Sequence, residues 1–258
     1  MALLAADIGN AHTVLGLVSD GRVSAHWRVS TDARRTADEW AVVLRGVLGE
    51  VLDEVDGIAA CCTVPSVLNE WREMLARHFG DLRSVIVEPG VRTGIAIQVD
   101  NPLEVGTDRV VNALAASDIA RPAVVVDFGS TATTFDVIDA HGRYVGGAIT
   151  PGIEVSIAAL SRAGAQLRQV ELVRPKGVIG KNTVQALQSG IVFGVASLVE
   201  GMVARVVGEL GVAPEDVAVI STGYLADLVV DECSCFTAHR PWLTLEGLAK
   251  VFARNARD

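Results

Sequence analysis

Leu3-Leu-Ala-Ala-Asp7-Ile-Gly9-Asn10 and Ala123-Val-Val-Val-Asp127-Phe-Gly129-Ser130 carry one pattern twice. Each is an apolar run, an aspartate, one more apolar residue, a glycine and a small polar residue. A short continuous apolar run bounded by turn residues reads as a buried strand, here ending in a carboxylate beside a glycine turn. The resemblance between the copies extends outward. Thr13 to Val18 is a second apolar run, Asp20-Gly21 marks a hairpin turn, and Arg22 to Val29 returns. In the second copy the matching turn is Gly142-Arg143, one residue later in register than Gly21-Arg22. Val217 to Ser221, followed by Thr222-Gly223, parallels the strand Ile58 to Thr63. An ordered internal repeat on this scale predicts a duplicated α/β domain with a cleft between the copies. The boundary falls near Arg121-Pro122, giving lobes over 1–121 and 122–258.

Between these runs the sequence places helices. Thr36-Ala37-Asp38-Glu39 is a capping box, and behind it Trp40, Val43, Leu44, Val47, Leu48 and Val51 recur at helical spacing. Asp56-Gly57 reads as a turn before Ile58 to Val64, which Pro65 stops. Leu68, Trp71, Leu75 and Phe79 line a second helix. Val85 to Val87 and Ile95 to Val99 are short strand candidates, and a helix runs from near Thr107 through Ala116. Thr183 to Leu210 reads as one long helix capped by Asn182 and ended by Gly211, with Leu187, Ile191, Val195, Leu198, Met202 and Val206 as its apolar stripe. Gly190, Gly194, Gly201 and Gly208 lower its propensity by up to about 1 kcal/mol each, which suits close packing, within the chain or against a second subunit.

Composition excludes several classes. With 258 residues, 50% hydrophobic and 21% charged, the chain buries a full core and is not disordered. A net charge of −9 and a pI near 5.1 argue against a nucleic-acid surface. Mean hydropathy is +0.38, but Glu200 and Arg205 interrupt the most apolar stretch, so no membrane-spanning helix is expected. Met1 to Ala6 meets Asp7 at once and reads as a strand rather than a signal peptide. The four cysteines, Cys61, Cys62, Cys233 and Cys235, match no common zinc spacing and read as core filler. A cytoplasmic location follows from these readings.

Two features carry chemistry. An aspartate at a strand end beside a glycine turn suits a nucleoside triphosphate: turn N–H groups hold phosphate oxygens, and the carboxylate holds a cation or its water shell. One such turn is commonplace, since hairpins select Asp and Gly for geometry; two at matching places are not. No P-loop or Rossmann glycine pattern is present. The second feature is Asn101-Pro-Leu-Glu-Val-Gly-Thr-Asp108-Arg109 at a helix start. Asp108 is placed either to complement the helix dipole or to accept a proton from a substrate hydroxyl, with Arg109 fixing a polar or anionic group.

Together with Gly146-Gly-Ala-Ile-Thr-Pro-Gly152 and Gly180-Lys-Asn-Thr183, these segments closely resemble the type III pantothenate kinases, over nearly the whole chain. The resemblance implies two duplicated ribonuclease-H-like lobes of the acetate-and-sugar-kinase/Hsp70/actin type around an ATP cleft, as a homodimer. It implies transfer of the ATP γ-phosphoryl group to the primary alcohol of pantothenate, the first step of coenzyme A synthesis, with a divalent ion such as Mg2+ and a monovalent cation, K+ or NH4+. Carried over by position, Asp7, Ile8, Gly9, Asn10, Ala11, His12, Thr13 and Val14 form the first phosphate loop, with Asp7 meeting Mg2+ through water. Val99, Gly106, Thr107, Asp108 and Arg109 bind pantothenate, Asp108 as general base. Asp127 holds the monovalent cation, Ser130 or Thr131 meets the phosphates, and Thr183 reaches the pantothenate pocket across the dimer interface. No nucleic-acid or membrane partner is implied.

The chain departs from the family pattern at four places. Ala11 stands where a threonine is usual and Val99 where a tyrosine is frequent. Ser130 makes the second loop one residue longer than the usual motif, and Tyr224 follows Thr222-Gly223 where a second glycine is common. Losing one hydrogen bond to a charged group costs about 1.5–3 kcal/mol, enough to weaken ATP binding without abolishing it. The other readings are a related kinase for another small hydroxy acid, a nucleotide-binding regulator without turnover, and an interaction module built on the long helix.

Overall fold

The computed structural model describes residues 1–163 and 170–255. They cluster into two compact units, the first made of Met1–Ile95, Asp100–Ala115 and the described residues from 242 onward, the second of Ala96–Val99 and the described part of 116–241.

The first unit is built on a five-stranded sheet of order β3-β2-β1-β4-β5, from β1 (Ala2–Ile8), β2 (His12–Ser19), β3 (Arg22–Ser30), β4 (Val55–Cys62) and β5 (Arg83–Ile86). The first three strands are antiparallel neighbours, while β4 pairs parallel with β1 and β5 parallel with β4. The second unit repeats this order as β8-β7-β6-β9-β10, from β6 (Ala123–Phe128), β7 (Ala132–Ile138), β8 (Tyr144–Pro151), β9 (Ala218–Thr222) and β10 (Ala238–His239). Register repeats as well: Ile8 faces Thr13 as Phe128 faces Thr133, and a bulge follows Leu17 in one copy and Val137 in the other. The two halves are therefore a structural duplication with ribonuclease-H-like sheets. Asp20 and Gly21 both take positive φ, 52° and 74°, the conformation a tight hairpin needs. The longer second hairpin is closed instead by Asp139, whose Oδ1 accepts from the His141 and Arg143 N–H groups at 2.9 Å.

Helices α1 (Ala37–Leu48) and α2 (Pro65–His78) cover the first sheet. The capping box of Thr36 and Glu39 is formed, Pro65 occupies the first turn of α2, and the buried rings of Trp40 and Trp71 meet at 5.5 Å. Asp56-Gly57 is no turn: β4 runs through it. Gly57 is selected because the Phe252 ring of α6 (Leu243–Asn255) lies where a side chain would begin, and Leu245 lies 2.5 Å from the same position at Gly16. The C-terminal helix thus packs on the first sheet, and residues 116–121 lie with the second unit, unlike a single cut after Arg121. The expected strand Ile95–Val99 reduces to one bridge, Ile97 to Tyr144, held by the Gln98 N–H on the Tyr144 carbonyl at 2.8 Å and the Tyr144 N–H on the Ala96 carbonyl at 2.9 Å.

In the second unit, α4 (Ile153–Ala163) and α5 (Thr183–Leu210) accompany the sheet, and α3 (Thr107–Ser117) leads into it. The ends of α5 fall at the expected residues, with Asn182 as cap and Gly211 left-handed. Its buried face is rotated from the expected stripe. Gln188, Ile191, Val192, Ala196, Val199, Val203 and Val207 face the core, whereas Leu198 is 40% exposed. By length and an 18-residue window of mean hydropathy 1.8, α5 has the composition of a membrane span, a property it shares with core helices; a third of that window is buried within the protein, and Glu200 and Arg205 lie along the helix.

Candidate functional site

Asp7 is the penultimate residue of β1, paired in register with Val14 on β2 and Cys61 on β4. Residues 9–11 then reverse the chain. The Gly9 N–H donates to the His12 carbonyl at 3.0 Å, and the Ala11 carbonyl accepts from the Thr31 N–H at 2.9 Å. Asn10 is exposed at the tip. Thr13 is fully buried with its hydroxyl 2.8 Å from that of Thr31, and Val14 is a ladder residue. Of the eight residues expected around phosphate, Gly9, Asn10 and Ala11 therefore form the loop between β1 and β2, and the buried Thr13 hydroxyl is turned to Thr31 rather than toward the loop.

The start of α3 is fixed against the end of β4. Thr107 Oγ1 donates to the Cys62 carbonyl at 3.4 Å, and the Thr63 N–H donates to the Ile8 carbonyl at 3.1 Å. Asn101 caps the preceding turn, accepting from the Leu103 N–H at 3.3 Å. Asp108 folds back so that its Oδ1 lies 2.5 Å from where a side chain at Gly106 would begin. Glycine there leaves the space that this carboxylate oxygen occupies. Asp108 Oδ1 is sealed from solvent and has no hydrogen-bond partner among the described residues.

Two carboxylates are thus held in poor surroundings for an anion. Burial raises the pKa of Asp108, against the Arg109 N–H and its positive charge. Asp7 is pushed up to about 7, first by burial and then by the Asp108 charge, while the Cys61 thiol, 3.4 Å from Asp7 Oδ1, pulls it down. Desolvation beside a like charge disfavours ionisation, and a cation reverses that. Among the described residues no group of three or more His, Cys, Asp or Glu forms a metal cage. One or two carboxylates, completed by phosphate oxygens and water, are the usual Mg2+ arrangement, and Asp7 fits it.

In the second unit, Asp127 repeats the place of Asp7. Residues 129–131 close onto β7 as 9–11 do onto β2, so within this chain Ser130 stands in the place of Asn10 and Thr131 in that of Ala11, with no inserted residue. The Thr131 carbonyl accepts from the Gly152 N–H at 2.9 Å. Gly152 presses on the loop so closely that a side chain there would meet the Ser130 and Gly129 carbonyls. Gly223, at φ 89°, leaves room where Asp127 Oδ1 and the Phe128 carbonyl oxygen converge, 2.5 and 2.7 Å from the position its side chain would take. Val99 lies in this unit, 3.9 Å from the side-chain position of Gly146. Thr183 is exposed at the first turn of α5, below a reciprocal cap in which Asn182 Oδ1 accepts from the Gln185 N–H and Gln185 Oε1 from the Lys181 N–H, both at 2.9 Å.

The first unit therefore gathers Asp7 to His12 with Gly106 to Arg109, and the second gathers Asp127, Ser130 and Thr131, with Val99 and Thr183 elsewhere on it. Sequence reasoning set aside Cys61 as filler. It is buried, yet its thiol touches Asp7; the signal was its place opposite Asp7 in the repeat, where Thr222 stands opposite Asp127.

The family model described as type III pantothenate kinase matches residues 3–205. A protein from Nocardioides sp. called type III pantothenate kinase is 67% identical over 257 residues, covering 99% of this chain and 100% of the relative. One of the same description from Thermobifida fusca is 57% identical, with 98% and 99% covered. Among solved structures, the activator of the 2-hydroxyisocaproyl-CoA dehydratase from Clostridium difficile, with bound ADPNP, superposes with a TM-score of 0.57 at 12% identity, covering 100% of this chain and 96% of that one. An ethanolamine utilization protein from Carboxydothermus hydrogenoformans gives 0.56 at 16% identity, with 97% and 90% covered. These two likenesses are of fold.

Proposed function

The chain belongs to the type III pantothenate kinases, and on that footing we propose how its residues carry the transfer of the ATP γ-phosphoryl group to the primary hydroxyl of pantothenate. The product is 4'-phosphopantothenate, the first intermediate toward coenzyme A. The observation that carries the residue assignment is the glycine-cradled, buried Asp108, whose Oδ1 has no partner among the described residues. A carboxylate in that state accepts a hydroxyl proton readily, because its anion is poorly solvated.

In this reading Gly106, Thr107 and Arg109 hold the acceptor beside Asp108, with Val99 lining its pocket. The loop from Asp7 to His12, and Ser130 or Thr131, meet the phosphates of ATP. A divalent cation at Asp7 would neutralise charge on the transferring group. Phosphoryl transfer is mostly positioning and charge neutralisation, and this chain's contribution is to orient the hydroxyl and take its proton. The direct test is ADP release with pantothenate as acceptor, with and without Mg2+ and K+. Turnover only with pantothenate omitted, or equal turnover with an unrelated alcohol, would overturn the assignment.

Asp127 is proposed as the monovalent-cation ligand. Asp127→Ala is expected to lose activation by K+ while keeping its Mg2+ dependence. Wild-type activity undiminished in K+-free buffer would refute the role.

We further propose a homodimer in which Thr183 of one chain serves the other chain's acceptor pocket. The outward row of α5 is small: Gly190, Gly194, Ser197, Ala204 and Gly208 are exposed beside Leu198. Thr183→Val is expected to raise the pantothenate KM about tenfold with the ATP KM nearly unchanged, the loss of one hydrogen bond. A mixture of Asp108→Asn and Thr183 variants should recover activity through hybrid dimers. Sedimentation of an active monomer at assay concentration would rule the shared pocket out.

A further inference from the structure

Cys233 and Cys235 flank Ser234 in a tight turn between the 3₁₀ turn Val230–Glu232 and β10. Ser234 faces away from the core: its N–H and hydroxyl both donate to Glu200 Oε1 on α5, at 2.8 and 2.7 Å. Both cysteines pack on the hydrophobic core of the second unit, so their thiols share one side of the turn, where the Cys233 thiol faces the Ala196 carbonyl of α5 at 4.0 Å. Each is a free thiol and keeps some solvent access.

We propose that Cys233 and Cys235 are a redox modification site, a dithiol that hydrogen peroxide converts to an intraturn disulfide. The Cys235 thiolate attacks one peroxide oxygen, forming a sulfenic acid as the O–O bond breaks and water leaves. Cys233 sulfur then attacks Cys235 sulfur and displaces a second water. Two thiols and one peroxide become one disulfide and two waters, the sulfur pair losing the two electrons that peroxide gains.

The surroundings select this pair over the other two cysteines. Reaction needs a thiolate that the oxidant can reach. Cys61 is fully buried, its thiol donates to Asp7 Oδ1, and burial and the nearby carboxylates hold its pKa well above the usual range. Burial pushes Cys62 up to about 11, and its thiol donates to the Val64 carbonyl at 3.3 Å. In the 230s turn, the neighbouring Cys233 side chain holds the Cys235 pKa below the usual thiol range, against burial and the Glu200 charge. A disulfide closing so small a loop is strained and hence easily reduced, which suits a reversible mark. It would also pull on the turn that Ser234 fastens to α5.

The test uses the full chain, reduced, then exposed to hydrogen peroxide, alkylated and mapped by mass spectrometry. The expected result is loss of two hydrogens in the peptide holding residues 233–235, at least about tenfold faster than any oxidation at Cys61 or Cys62, and reversal by dithiothreitol. Cys233→Ser should halt at a sulfenic acid on Cys235 that dimedone captures, and Cys235→Ser should leave Cys233 reduced. A disulfide involving Cys62, a disulfide between chains, an irreversible sulfinic acid on Cys235 in wild type, or an unmodified 233–235 peptide while Cys62 oxidises would each overturn the proposal.

Discussion

Asp108→Asn lowers kcat by at least about 100-fold with the fold retained, the loss expected when a general base is removed from a positioned hydroxyl. The substitution keeps shape and removes only the ability to take a proton, so circular dichroism and nucleotide affinity should be unchanged. The burial that raises the Asp108 pKa also sets the sign of the pH dependence. Below that pKa the carboxyl is protonated and cannot act, so wild-type kcat rises with pH on its acid limb, and the Asn variant loses that limb. A variant within threefold of wild type would remove Asp108 from the mechanism. Gly106→Ala offers a companion reading, because its new methyl group would occupy the space of Asp108 Oδ1. That oxygen is the mobile end of a side chain, so stability should hardly move while kcat falls.

Asp7→Asn separates activity from stability. Activity should drop by about 100-fold or more, since a neutral amide is a poor ligand for a divalent ion carrying phosphate. The ligand-free protein should nonetheless become more stable above pH 7. The Asp7 pKa stands at about 7 in the fold against 3.8 for a free side chain, so the folded state binds the extra proton between those values. Stability therefore falls as pH rises from near 4 through 7, and the full cost of the buried anion persists above it. Three pKa units bound that cost at roughly 4 kcal/mol, and the amide avoids it. A higher melting temperature for Asp7→Asn at pH 8, converging on wild type near pH 4, checks the argument. Equal melting temperatures at pH 8 would mean that Asp7 ionises in the fold without penalty.

Much of this was legible in the residues because the decisive signals are local. The two Asp-x-Gly turns, the capping box at Thr36, the Asp20-Gly21 hairpin and the ends of α5 each depend on residues a few positions apart. What escaped depends on distant partners. Gly57 follows an aspartate, as turn glycines do, and only Phe252 reveals why a strand needs it. The buried face of α5 is not legible in the sequence because its apolar residues run nearly all round, and polar contacts select the face. Gln188 Nε2 donates to the Glu171 carbonyl at 3.0 Å and Ser189 Oγ to that of Val178 at 2.5 Å. Cys61 looked inert since nothing nearby in sequence announces Asp7. For the site, the aspartates were visible from their turns, whereas the closeness of Asp7 to Asp108 arises only when α3 is fastened to the end of β4.

The return of α6 to the first sheet has a consequence for synthesis. A ribosome delivers β1 to β5 early, yet the helix that fills the spaces over Gly16 and Gly57 is the last described element to emerge. Until then the strand face awaiting Leu245 and Phe252 stands open, and an apolar sheet face left open is a hazard for association with other nascent chains. The first unit cannot complete its core until the whole of the second has been made, so the order of translation and the order of folding are necessarily different in this chain.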